Sequence, residues 1–244
     1  MDFTPVKTRA FLPPKDDLDV LLDESLIGGN ALRDCDVLFI TSKIVAIGEG
    51  RCVARGSIKD KHELVEREAD AFVPWQQSKW GFCISIKNNI LIASAGVDES
   101  NANGFYVLWP SNAFASARSI RKRLMEKHSL ERLAVVITDS HCTPLRRGVN
   151  GITIGYSGLN PLKNYMGKPD LFGRPLAMTQ ANVVDALTSM AVLLMGESNE
   201  STPLCIGRGL DGIVEYAEGE NKDFVIPLEE DLFEPILKDL TPKN

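Results

Sequence analysis

The chain has 244 residues, 44% of them hydrophobic and 25% charged, the balance of an ordinary globular protein of one large domain or two small ones. At this length roughly 70% of the unfolded surface can be buried, so stability requires neither a disulfide nor a structural metal. The formal charge of −6 opposes attraction to a polyphosphate backbone, and the run Arg118, Arg121, Lys122, Arg123 is too short to reverse it; a solvated helix face is expected there, with no nucleic-acid partner.

The five cysteines are odd in number, scattered and never in a CxxC pair, which argues against a disulfide framework or a zinc site and fits a reducing cytosol. Met1 to Lys7 carries no apolar run for a signal peptide. The most hydrophobic helix candidate, Val183 to Met195, contains Asp185 and falls short of the ~20 residues a membrane span requires. A soluble cytoplasmic protein, without a membrane partner, is expected.

In chain order, Leu18, Leu21, Leu22 and Leu26 follow helical spacing after an Asp-rich start, and Gly28-Gly29 stops that helix. Asp36 to Thr41 reads as a buried strand and Lys59 to Phe72 as a charged surface helix. Phe82 to Ile86 and Ile90 to Ser94 read as strands of a hairpin turning at Lys87-Asn88-Asn89, and the second runs into Ala95 to Asn101. Ser111 to His128 carries Phe114, Ala117, Ile120 and Leu124 on one face and basic residues on the other, which predicts an amphipathic helix covering a sheet. Leu133 to Thr138 is an apolar strand that delivers Asp139 and Ser140 to its end. Gly148 to Arg174 is rich in Gly, Pro and Asn, so an irregular or weakly stranded segment is expected. Thr179 is placed to cap a helix reaching Leu194 and ending at Met195-Gly196-Glu197, and Leu204 to Ile206 supplies one more strand.

Asp98, Asp139 with Ser140, and Glu197 each sit just past a regular element, and such hard oxygen ligands suit Mg²⁺ or Mn²⁺ better than zinc. Spacing alone leaves the alternative open that they cap helices and turns. Arg146, Arg147, Lys168 and Arg174 add cations suited to carboxylate or phosphate oxygens, or to solvent. In Ser140-His141-Cys142, neighbours in an extended chain point to opposite faces, which disfavours a thiolate–imidazole nucleophile. Gly48-Glu49-Gly50 lacks the Walker pattern and no GxGxxG opens a helix, so any nucleotide is held another way.

Several segments, taken together and in order, resemble the γ-glutamyl ligase family of coenzyme F420 biosynthesis. They are Thr41 to Val45 with Glu49-Gly50-Arg51, Ala95 to Asn101, Val136 to Ser140, Ile154 to Leu159, Tyr165 to Asp170 with Phe172-Gly173-Arg174, Met195-Gly196-Glu197 and Arg208-Gly209. The likeness runs from about Leu12 to Gly209. It implies an α+β fold of mixed sheets with flanking helices and two intertwined subdomains, one glutamate-ligase-like unit over residues 1–244 with an acidic tail at 218–244, and a homodimer. It implies a ligase that joins L-glutamate to a carboxylate of a deazaflavin precursor through a γ-linked amide, with GTP as co-substrate and an acyl phosphate as intermediate. By the same resemblance Asp98 and Asp139 bind one of two Mg²⁺ or Mn²⁺ ions, and Ser140 and Glu197 the other. Ser42, Lys43, Asn101 and Leu12-Pro13-Pro14-Lys15 touch the nucleotide, and Lys168 and Arg174, with Asp170, meet the substrate. The chain departs from the family pattern in Ser140 for threonine, Cys142-Thr143-Pro144-Leu145 for Gly-Arg-Pro-Trp, and Ile47 for a nucleotide-binding lysine. A different acyl substrate, or a binding protein without turnover, are the alternatives these departures raise.

Overall fold

The computed structural model describes residues 1–238 and 240–242 and shows an α+β architecture. β1 (Asp2–Val6), α1 (Leu18–Ser25), β2 (Asp36–Thr41) and α2 (Ser42–Gly48) come first. An excursion follows through β3 (Cys52–Ala54), α3 (Lys61–Glu68), β4 (Ala71–Val73), β5 (Ile84–Lys87), β6 (Ile90–Ala93) and β7 (Phe105–Val107). The chain returns through α4 (Ala113–His128), β8 (Leu133–Cys142), β9 (Val149–Ser157), β10 (Leu162–Asn164), β11 (Gln180–Asn182), α5 (Val183–Met195) and β12 (Leu204–Arg208). A C-terminal segment adds α6 (Glu234–Leu237) and β13 (Thr241–Pro242).

The main sheet has the order β1-β12-β2-β8-β9, and within it only β2 and β8 run parallel. The central strands carry continuous apolar runs, Val37 to Ile40 and Leu133 to Ile137, because both faces are covered there. Leu38, Ile40, Val135 and Ile137 join the cluster built with Leu21, Ile44, Ile120 and Leu124, whereas Val37, Phe39, Ala134 and Val136 join one built with Val184, Leu187 and Ala191. The alternation is the period of two of a strand, and it places α1, α2 and α4 on one face and α5 on the other. A smaller sheet, β13-β4-β5-β6, goes with a third cluster around Leu64, Val65, Cys83 and Val97.

The expected hairpin is present: Asn88 and Asn89 both take positive φ, 50° and 58°, as a tight two-residue turn between Lys87 and Ile90 demands, and asparagine tolerates that region. Three expectations are corrected. The helix expected over Lys59 to Phe72 ends at Glu68, because Ala71 to Val73 pairs with β5. The segment expected to be irregular or weakly stranded opens with β9, a nine-residue strand paired along β8 except at the bulged Ile154 and so more regular than expected. The cap of α5 is Asn182, whose side chain accepts from the Asp185 N–H at 3.1 Å, and not Thr179. Asn182→Ala should therefore cost about 1 kcal/mol, read as a fall of a few degrees in melting temperature; an unchanged melting point would contradict the cap.

The basic face of α4 is not simply solvated. Arg118 pairs with Glu220 at 2.6 Å, and the Arg121 guanidinium grips Glu218 with both terminal nitrogens, so the acidic C-terminal segment lies across the helix. All five cysteines are free. Among the described residues no helix is long and apolar enough to cross a membrane.

Candidate functional site

Topology brings separated segments to one sheet edge. β2 and β8 are parallel with Thr41 opposite Thr138; β2 ends there and Ser42-Lys43 open α2, whereas β8, expected to end at Thr138, runs on through Asp139-Ser140 to Cys142 paired with β9, so the two segments stand side by side. β12 runs antiparallel with Leu204 opposite Ile40, so the loop before it, which carries Glu197, arrives at the same edge. β1 pairs Val6 with Leu204 and delivers Thr8 to Phe11 there too. Binding sites in open sheets with parallel strands collect at such carboxyl ends. The excursion reaches the same place from outside, its loop fixed by a bridge between Asp98 and Val107. These segments enclose a cavity of about 480 Å³ lined by Ser42, Lys43, Asp98, Asn101, Asp139, Ser140 and Glu197 among others.

A bulge aims Asp139. Pairing of β8 with β9 shifts between Ile137 and Thr138, leaving Ile154 as the extra residue, and bulges of this kind re-aim side chains beside functional sites. Asp139 Oδ1 accepts the Ser140 N–H at 2.9 Å, and Oδ2 accepts the indole N–H of Trp109. Burial raises the Asp139 carboxyl to about 6 and the nearby Asp98 charge adds to this, while the two hydrogen bonds pull the other way.

Asp98 behaves oppositely. Burial would raise it, but the Lys43 ammonium at 2.7 Å and hydrogen bonds from the Ser100 N–H at 2.8 Å and hydroxyl at 2.9 Å outweigh burial and hold it below the usual carboxylate range. Lys43 also donates to the Ser100 carbonyl at 2.7 Å. On the far wall, the Ser140 hydroxyl donates to Glu197 Oε1 at 2.7 Å, and the Asn101 amide donates to the Ser198 carbonyl at 2.7 Å, tying the Asp98 loop to the Glu197 loop.

The raised Asp139 carboxyl has a consequence for stability. Between pH 4 and 6 the native state keeps a proton that the unfolded chain, with a carboxyl near pKa ~3.9, has released. The native state then binds more protons than the unfolded one, so the contribution of Asp139 to stability falls as pH rises through that window. Metal-free wild type compared with Asp139→Asn in urea denaturation should show a larger relative advantage for wild type at pH 4.5 than at pH 7. The reverse order would contradict the buried assignment.

Seven of the residues singled out from the sequence thus meet in one cavity. Leu12 to Lys15 lie just beyond it: Phe11 lines the wall, and Arg9 holds Asp16 with bonds of 2.6 and 3.0 Å while Asp16 accepts the Leu12 N–H at 3.0 Å. Lys168 and Arg174 do not line the cavity. They are exposed on the flap between β10 and β11, where Asp170 Oδ1 accepts the Arg174 N–H at 2.8 Å and the Lys168 ammonium stands 5.3 Å from the Tyr165 ring centre. His141 and Cys142 alternate along β8, as expected for neighbours in an extended strand. Arg9, Phe11 and Trp109 were not anticipated, and no local pattern marks them.

The cavity brings together an ammonium, two carboxylates of opposed character and a hydroxyl–carboxylate pair at the edge of a covered sheet. A model of the F420-0:gamma-glutamyl ligase family matches residues 7–209, and the chain belongs to that family. Its relatives include the coenzyme F420:L-glutamate ligase of Methanopyrus kandleri, 36% identical over 89% of this chain and 90% of the relative. The protein of the same name from Methanocaldococcus jannaschii is 34% identical over 85% and 88%, and that from Archaeoglobus fulgidus 30% identical over 96% of both.

Proposed function

We propose that this protein is a GTP-dependent ligase of the cytoplasm that joins L-glutamate, through a γ-linked amide, to a carboxylate of a coenzyme F420 precursor. The observation that carries the reading is the convergence of Asp98, Asp139, Ser140 and Glu197 on one cavity in a chain of this family.

Two Mg²⁺ or Mn²⁺ ions fit the donors. Among the described residues no cluster of three or more His, Cys, Asp or Glu forms a complete cage. Magnesium commonly binds through one or two carboxylates and takes the rest of its shell from water and substrate phosphates. Asp98 with Asp139, and Glu197 with Ser140, offer such incomplete sets. Bound there, the ions would neutralise phosphate oxygens during transfer.

The chain's own residues do the rest. Lys43, released from Asp98, turns to phosphate oxygens, and Ser42 at the start of α2 lies beside them. Asn101 keeps the two metal-binding loops in register through Ser198. The walls of Phe11, Ile44, Ile47 and Leu108 exclude water, which protects an acyl phosphate until the amine of glutamate attacks. A homodimer accompanies this reading: Leu171, Phe172 and Met178, 92%, 92% and 87% exposed, stand on the flap with Lys168 and Arg174, and a second copy covering them would bring those cations to a substrate.

The test is to supply GTP, Mn²⁺, L-glutamate and the precursor, and to follow phosphate release and product mass. Release that needs both substrates, with a product heavier by one glutamate residue, supports the ligase. Metal-dependent GTP binding without release in the presence of both would overturn it in favour of a different acyl substrate or a binding protein, and light scattering decides the dimer.

A further inference from the structure

We propose that Trp109 is a positioning residue: its indole N–H fixes the Asp139 carboxylate in the attitude in which a divalent cation is bound, and a partly buried ion cluster beside the ring fixes Trp109. The proposal rests on the reading of Asp139 as a metal ligand.

Trp109 is 2% exposed, and a buried indole N–H needs an acceptor. The acceptor it has is Asp139 Oδ2. With the Ser140 N–H on Oδ1, each carboxylate oxygen carries one hydrogen bond and keeps a second lone pair directed elsewhere. The carboxylate is thereby locked in rotation while remaining able to ligate.

Trp109 is itself held by Arg51, Lys87 and Gly96. Its carbonyl accepts from Arg51 Nε at 3.1 Å, and the Lys87 ammonium stands 5.8 Å from the ring centre. Arg51 and Lys87 both bind Glu68 Oε2, at 2.7 and 2.5 Å, and Lys87 is only 6% exposed. Gly96 closes a further side: a Cβ there would lie 2.2 Å from the indole nitrogen, so the space is cut to the ring. Gly96 is two residues from Asp98, and the indole therefore packs against the loop that bears the other carboxylate. Partners that orient metal ligands typically contribute 10–100-fold in metal affinity.

Mn²⁺ binding, followed by electron paramagnetic resonance of the free ion with and without the γ-imido analogue of GTP, reads this directly and needs no turnover. The variants are Trp109→Phe, Asp139→Asn, and the wild-type chain with benzothienylalanine at position 109, which keeps the shape of the indole and replaces its N–H by sulfur. Both changes at 109 should weaken Mn²⁺ binding by about tenfold or more, with the isostere melting within a few degrees of wild type. If Trp109→Phe does not fold, the isostere decides. Wild-type affinity in the isostere, alongside weakened binding in Asp139→Asn, would overturn the role of Trp109 and leave the metal site standing. Unchanged binding in Asp139→Asn, or none in wild type, would overturn the metal reading and this proposal with it.

Discussion

Asp139→Ala should lower metal-dependent phosphate release by about a thousandfold or more, because the side chain lost is the one that the strand, the bulge and Trp109 combine to place. Alanine also strands the buried indole N–H, an unsatisfied donor worth ~1–3 kcal/mol, so a loss of activity could be confused with a loss of structure. Asp139→Asn separates the two. It removes the charge and keeps the shape, and its one acceptor oxygen can serve the Trp109 indole N–H or the Ser140 N–H but not both, so it costs one hydrogen bond where alanine costs two. The expected result is a melting temperature between those of the alanine variant and wild type, with activity as low as in the alanine variant, measured by phosphate release under saturating GTP and Mn²⁺. Retention of more than about a tenth of the wild-type rate in the asparagine variant would remove Asp139 from the chemistry.

What the sequence makes legible here depends on whether a signal is local. β2 and β8 are continuous apolar runs and α4 is a clean amphipathic period, and the structure has all three there, with β8 running four residues past its expected end at Thr138 so that Asp139 and Ser140 lie within the strand. β1 was not anticipated: it is a short edge strand containing Pro5, and proline demotes a run that would otherwise read as a strand. β9 was blurred by its glycines, which leave only an irregular or weakly stranded reading. Gly151 and Gly155 read as punctuation, yet they are packing residues, each at the closest approach of the sheet to a helix. The site divides the same way. Asp98, Asp139, Ser140 and Glu197 are visible as polar groups just past regular elements. The partners that tune them, Lys43 on Asp98 and Trp109 on Asp139, come from distant parts of the chain and follow only from the order of strands in the sheet.

The packing role of those glycines yields the second large effect, at Gly155. Its position on β9 faces the first turn of α4, and a Cβ built there would lie 2.5 Å from the carbonyl carbon of Ala113 and 2.7 Å from its Cβ. Backbone cannot swing aside as a flexible side chain can, so helix and sheet must part. Gly155→Ala should cost about 1–3 kcal/mol, and Gly155→Val about 4 kcal/mol, a large fraction of a typical margin of stability. For a chain of this size the alanine variant should melt several degrees low, at ~2–4 °C per kcal/mol. Gly29→Ala is the matched control, since nothing lies within 4 Å of its Cβ position. Gly155 is also the partner of Ile137, the last pair before the bulge that aims Asp139. A separation of α4 from the sheet therefore reaches the site, and Gly155→Ala should weaken Mn²⁺ binding even at temperatures where it remains folded. A Gly155→Ala variant as stable as Gly29→Ala would mean that helix and sheet have slack at this contact, and the aim of Asp139 would then have to be set by Trp109 and the bulge without support from α4.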